Sequence, residues 1–167
     1  LMRDRYHFFR NDKKCKFYLQ DDYDFFYFKP TLFKLKLHKG LYRHSDLLYL
    51  FWYLFTLGKY HIFYVRDIKS GDLAHFSNIL PAIFKYNFMN KKDLQIVNCW
   101  TYEKYRGMNF FPFALTKIQE KFKCKTIWIG SKISNIASLN AIEKSGFAKM
   151  FDVEKSSILG IYFKINE

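Results

Sequence analysis

The apolar residues change spacing along the chain, and each change marks an element. Residues 94–101 (LQIVNCWT) and 125–130 (KTIWIG) are short apolar runs that read as strands. Between them, a basic Arg-Gly turn leads straight into the amphipathic helical pattern FFPFALTKIQE, and 135–150 (NIASLNAIEKSGFAKM) reads as a helix that stops at Gly146 before another apolar run. Upstream, Ser45 and Asp46 give a helix start signal and Gly58 a stop, so LLYLFWYLFTL at 47–57 is expected to be a buried helix. HIFYVRD and DLAHFSNIL flank a short Gly-containing connection at 68–71, the pattern of an antiparallel hairpin, with Pro81 at its end and a loop running to Lys92. A first strand is expected at 14–20 (KCKFYLQ). The segment 33–40 (FKLKLHKG) alternates apolar and basic residues as a half-buried strand does, with a stretched helix as the alternative. FAKMFDV and SSILGIYFKI complete the pattern as two strands joined at 154–156. This order predicts a mixed α/β (α+β) fold with a mainly antiparallel sheet and one parallel strand pair linked through a helix.

Composition narrows the class. At 167 residues, half of them hydrophobic, with no linker, repeat or low-complexity tract, the expectation is one domain over 1–167. Cys15, Cys99 and Cys124 are odd in number and widely spaced, which points away from a disulfide framework or zinc site and toward a reducing cytoplasm. The run at 47–57 is well short of the ~20 residues of a spanning helix, and the first residues carry charge throughout, unlike a signal peptide. The net charge of +13 comes from 22 Lys and only 6 Arg. Arg is the residue that reads bases by bidentate contact, so no specific nucleic-acid partner is expected. The excess fits phosphorylated ligands or a membrane surface, with Lys34 and Lys36 assigned to an anionic small substrate or peripheral contact with the inner face of a membrane.

A helix starting right after the Gly-containing turn at Arg106 and Gly107 leaves its first backbone N–H groups and its positive dipole end free for a phosphate or pyrophosphate. The frame Arg106, Gly107, Met108, Asn109, Phe110, Phe111 resembles the acyl-CoA-binding motif of the GNAT superfamily of N-acyltransferases: Gln or Arg, two residues, Gly, one residue, Gly or Ala. Arg106 fits, while Asn109 and Phe111 stand where the pattern has glycines. Asn tolerates left-handed backbone angles and partly replaces the first; Phe111 implies a looser or shifted phosphate grip. The downstream Asn135, short helix and Lys144-Ser145-Gly146-Phe147 stop resemble the closing element of the same family. The likeness is firmest over 94–150.

The resemblance implies a fold in which the parallel pair splays to admit the acyl-pantetheine, with acetyl-CoA as co-substrate and no metal. It assigns CoA contacts to Asn98, Cys99, Trp100 and Thr101 on the strand edge, to the 106–111 turn, and to Asn135 and Ser138. A base must take a proton from the acceptor ammonium. Asp93, thirteen residues before Arg106, matches the position of a catalytic carboxylate in the histone-acetylating branch, and a simple turn aspartate is the competing reading. Glu103 and His75 are the reserves. Many relatives protonate the leaving thiolate with a Tyr where this chain has Ile142, which leaves Tyr102, Tyr105 or water for that role.

GDLAHFSNILP followed by DLQIVNCWTYEKYRGMNFFP is similar to members that acetylate amino sugars of bacterial surface polysaccharides, with Phe84, Tyr86 and Phe88 as stacking faces. An acetyl-CoA-dependent N-acetyltransferase acting on a small amine, an amino sugar or its nucleotide-linked form, is the expected function. A protein amine as acceptor, a non-catalytic acyl-CoA-sensing or basic module on the same fold, and a homodimer all stay open.

Overall fold

The computed structural model describes residues 4–38, 45–82, 88–155 and 162–165. Among them eight strands form one sheet in the order β2-β3-β4-β5-β6-β1-β7-β8. These are β1 (Asp4–Asn11), β2 (Tyr23–Phe28), β3 (His61–Asp67), β4 (Leu73–Pro81), β5 (Leu94–Thr101), β6 (Ile127–Lys132), β7 (Phe147–Lys155) and β8 (Tyr162–Lys164), with helices α1 (Asp46–Thr56), α2 (Phe110–Lys121) and α3 (Ile136–Lys144). The fold is mixed α/β, a central sheet flanked by helices. Every pairing is antiparallel except β5 with β6, which are joined through α2.

The period-two alternation of β3 decides which helix lies where. Phe63 and Val65 point into a core shared with Phe110, Phe113, Leu115 and Ile118 of α2 and Leu139 and Ile142 of α3. Ile62 and Tyr64 point the other way, to Tyr49 and Trp52 of α1. The sheet is thus covered by α2 and α3 on one face and by α1 on the other.

Three expectations need correction. Residues 14–20 form no strand: β1 and β2 hold the sheet positions, and Phe17 and Leu19 pack against the core from an extended connection instead. β1 had no place in the expected order because its charged ends hide it. Asp4 and Arg5 are exposed and pair across strands, Lys132 Nζ to Asp4 at 2.9 Å and Arg5 Nε to Glu154 at 3.2 Å, while Phe8 and Phe9 further along the strand are buried on opposite faces. In place of a strand at 33–40, the described part to His38 shows one isolated bridge, Thr31 with Lys34; residues 39–40 lie outside the described residues. Finally, α1 is buried on one face only. Tyr49, Trp52 and Thr56 are inside, while Leu47, Phe51, Leu54 and Phe55 face outward.

Candidate active site

β5 and β6 pair only from Leu94–Ile96 against Ile127–Ile129. Beyond that β5 stays on β4 and β6 stays on β1, so the parallel pair opens like a wedge. A bulge sits at the opening: Phe76 faces Trp100 and Asn78 faces Val97, leaving Asn98 and Cys99 against Ser77 alone. The extra residue reverses the alternation, so Val97 packs toward α1 while Cys99, two residues on, packs toward α2. Asn98 absorbs the distortion at φ 49°, and the buried Asn78 holds it by donating from Nδ2 to the Asn98 carbonyl at 3.1 Å.

On the α2/α3 side of the opening lies a cleft of about 590 Å³. Cys99, Trp100 and Thr101 form one wall, Arg106, Gly107, Asn109, Phe110 and Phe111 the floor, and Asn135 and Ser138 the other wall. Gly107 and Asn109 are both left-handed, at φ 83° and 59°. Asn109 therefore adopts the backbone geometry that a glycine would supply. The first rung of α2 runs from Phe113 N–H to the Asn109 carbonyl at 3.0 Å, so the Phe110 and Phe111 amides precede it, and Pro112 has no N–H to lose. At α3, Asn135 Oδ1 accepts from Ser138 N–H at 3.3 Å, bringing a second helix N-terminus to the same cleft. Arg106 lies with its guanidinium 5.3 Å from the Trp100 ring centre and 3.3 Å from Glu103. Two expected contacts fall elsewhere. Met108 packs into the core, where Tyr23 donates to its sulfur at 3.6 Å, and Asn98 lines the opposite cleft.

The proton-transfer candidates are scattered. His75 is fully buried at the base of the 590 Å³ cleft, with Nδ1 2.7 Å from Thr101 Oγ1 and Nε2 2.8 Å from Ser77 Oγ. Burial pushes its pKa down to about 3, so it is a neutral ring tied at both nitrogens and a poor base. Desolvation likewise pushes the thiol of the half-buried Cys99 up to about 12. Tyr105 shows its ring to the cleft while its hydroxyl donates to Asp67 Oδ2 at 3.1 Å. Tyr102 packs between the two main core clusters, its pKa raised by burial. Glu103 is exposed beside Arg106, and Ile142 is buried in the core. Asp93 is buried at the closed end of the β5–β6 pair, where Oδ2 accepts from the Trp128 indole N–H at 2.8 Å and from Asn90 N–H at 3.0 Å.

A second cleft, of about 430 Å³, opens on the α1 side against Val97 and Asn98. Its walls are Leu48 and Trp52 of α1, Trp128 and Gly130 of β6, Tyr6 and Phe8 of β1, and Lys155 of β7. None of these was singled out by the sequence. The one local signal is Gly130, whose absent Cβ would come within 2.7 Å of the Phe8 ring, so only glycine lets that ring cross the strand. Phe88 packs edge-on to Phe8 nearby, while Phe84 and Tyr86 lie outside the described residues. Lys36 is already committed, at 2.8 Å from Asp46 and over the Tyr49 ring, and Lys34 is exposed. Among the described residues no cluster of three or more metal-ligating side chains occurs, and no helix is long and apolar enough to cross a membrane.

No family model and no curated protein matches this chain. Solved structures do. A structure described as a GNAT-family acetyltransferase from Novosphingobium aromaticivorans superposes with a TM-score of 0.59 at 13% identity, covering 91% of this chain and 62% of that one. A GNAT-family acetyltransferase from Colwellia psychrerythraea gives 0.55 at 12% identity, over 87% and 53%. A tandem GNAT protein from the clavulanic acid biosynthesis pathway gives 0.59 at 10%, over 91% and 54%. The chain therefore has the GNAT acetyltransferase fold. It spans between about half and two thirds of the length of these structures.

Proposed function

We propose that the protein transfers an acetyl group from acetyl-CoA directly to a primary amine, acting as a single domain over 1–167. The observation that carries this reading is the pair of clefts at the β5–β6 opening, one on each face of the sheet and using consecutive stretches of β5. The cofactor occupies the α2/α3 side. Its pyrophosphate accepts from the Phe110 and Phe111 amides at the positive end of α2, Arg106 adds charge, and Asn135 with Ser138 forms the far wall. Pantetheine runs along 97–101 and places the thioester in the opening. The amine enters from the α1 side, and its lone pair attacks the thioester carbonyl carbon. The carbonyl oxygen takes the negative charge opposite a β5 backbone N–H. The C–S bond then breaks, CoA leaves as thiolate, and the nitrogen sheds a proton. Asp93 is the proposed base, since of the three candidates it alone touches a residue of the amine-side cleft, Trp128.

An amino sugar, free or nucleotide-linked, and a role in surface polysaccharide synthesis are our proposed acceptor class, supported by the aromatic walls of that cleft. The outward apolar face of α1 supports proposals of peripheral membrane contact and of a homodimer, and the unpaired cysteines support a cytoplasmic location. Two observations favour acyl-CoA sensing without turnover: Ile142 is in the core, and the Tyr105 hydroxyl is held by Asp67. Thiol release from acetyl-CoA across a panel of amino sugars and peptides, beside calorimetric titration of CoA, separates the readings. Release with an amine supports transfer, CoA binding without release supports sensing, and absence of CoA binding removes both.

A further inference from the structure

The amine-side cleft carries a charge imbalance that transfer as such does not require. Its wall from α1, Leu48 and Trp52, is uncharged, as is its stretch of β5, and its one charged lining side chain among the described residues is Lys155. The strand register extends the imbalance. Arg10, Lys132, Lys155 and Lys164 share the sheet face of Tyr6 and Phe8, and the exposed carboxylate among them is Asp4. Asp4 is bonded to Lys132 at 2.9 Å, and Asp93, buried behind Trp128, is not part of the cleft lining. Lys155 has no carboxylate partner among the described residues.

Acceptors meet this arrangement very differently. An amine whose only charge is its ammonium enters a cleft of like charge with no carboxylate in its lining to bind it, and is disfavoured. An acceptor that also bears an anionic group places that group on Lys155 and cancels the repulsion. We propose that the acceptor is an acidic amine. Its carboxylate or phosphate is received by Lys155, its body lies against the aromatic wall of Tyr6, Phe8 and Trp128, and its nitrogen sits at the β5–β6 opening. The cleft, near the small end for ligand sites, suits one ring with short substituents. This inference rests on the acetyl-transfer reading and narrows its acceptor.

Two matched pairs test it: glucosamine 6-phosphate against glucosamine, and phenylalanine against phenethylamine, with spermidine as a purely cationic amine. The quantity read is the ratio of kcat/KM for acid over neutral partner. The expected ratio is about tenfold or more in one pair, the size of a charge-assisted contact, and which pair shows it identifies phosphate or carboxylate. Lys155→Ala brings the ratio to near unity, Lys155→Glu inverts it, and Lys155→Arg keeps it. A ratio of unity in both pairs, or one that survives Lys155→Ala, overturns the inference while leaving acetyl transfer standing. Independently of turnover, quenching of Trp52 and Trp128 reads ligand binding without CoA. Lys155-dependent binding of the acidic ligands with no acetyl transfer to any amine keeps the acidic-ligand site and removes the transfer reading. Tight spermidine binding with no acidic preference removes the site.

Discussion

Gly146 is where the connection after β1 crosses the turn between α3 and β7, and replacing it by Ala tests that crossing. Its carbonyl accepts from Asp12 N–H at 3.0 Å and Lys13 N–H at 2.9 Å. Its φ is 85°, and a Cβ there would collide with the Lys13 carbonyl oxygen, lie 2.9 Å from the Lys13 carbonyl carbon and 3.1 Å from Cys15 Sγ. The left-handed backbone alone costs about 1–2 kcal/mol for a non-glycine residue. The collision is with main chain, which no rotamer change relieves, so displacing residues 12–15 adds about 1–3 kcal/mol of overpacking and lost hydrogen bonding. Gly71 is the internal control: its φ is 73° and an added Cβ meets nothing within 4 Å, so Gly71→Ala carries the backbone cost only. Urea unfolding of both variants reads the difference. With a slope of about 2 kcal/mol/M, Gly146→Ala should lower the midpoint by about 1 M or more and Gly71→Ala by roughly half that or less. Equal midpoints for the two variants would refute the seating of residues 12–15 on this turn.

Other outcomes follow from the site. Arg106→Ala should weaken CoA by about 1.5–3 kcal/mol in calorimetry, the loss of a charge-assisted contact, while unchanged affinity would leave binding to the α2 and α3 amides alone. Asp93→Asn should lower turnover on the order of 10²–10⁴-fold with CoA affinity kept, and full rate across pH would return Asp93 to a purely structural role beside Trp128. His75, with its pKa held near 3 against an ordinary 6.5, makes the unfolded chain the stronger proton binder between those values. Its contribution is therefore complete above about pH 6.5 and lost as pH falls toward 3, on the order of 5 kcal/mol in all, and His75→Gln should flatten the acid limb of a stability–pH curve. With its thiol pushed up to about 12, Cys99 should resist maleimide at neutral pH while exposed Cys124 reacts, as peptide mass spectrometry would show.

The legible parts of the molecule are those whose signals are local. The β3–β4 hairpin announces itself through its Gly-containing connection, and the path β5, turn, α2, β6 through a change of apolar period across Arg106 and Gly107. The α2/α3 cleft was readable for the same reason, since apart from His75 at its base its lining comes from 99–112 and 135–141. The other cleft draws on α1, β1, β4, β5, β6, β7 and β8, and nothing along the sequence says that Tyr6, Trp52 and Trp128 meet. Tyr105 shows the same limit in one atom. Its place beside the motif recommended it as an acid, but Asp67, distant in sequence, takes its hydroxyl. The bulge was equally silent, because it depends on Asn78 reaching across from β4 to the Asn98 carbonyl.

The position of β1 between β6 and β7 imposes an order on the birth of the molecule. β1 precedes every other described strand on the ribosome, yet its partners, Phe9 with Ile129 on one side and Lys149 on the other, are among the later ones to emerge. Pairs so distant in sequence close slowly. Until they do, the aromatic run Tyr6, Phe8 and Phe9 waits with both hydrogen-bonding edges open, a template for pairing with another nascent chain. The hairpin half of the sheet can assemble during synthesis, while the half that seats β1 and frames the α1-side cleft must wait for β7.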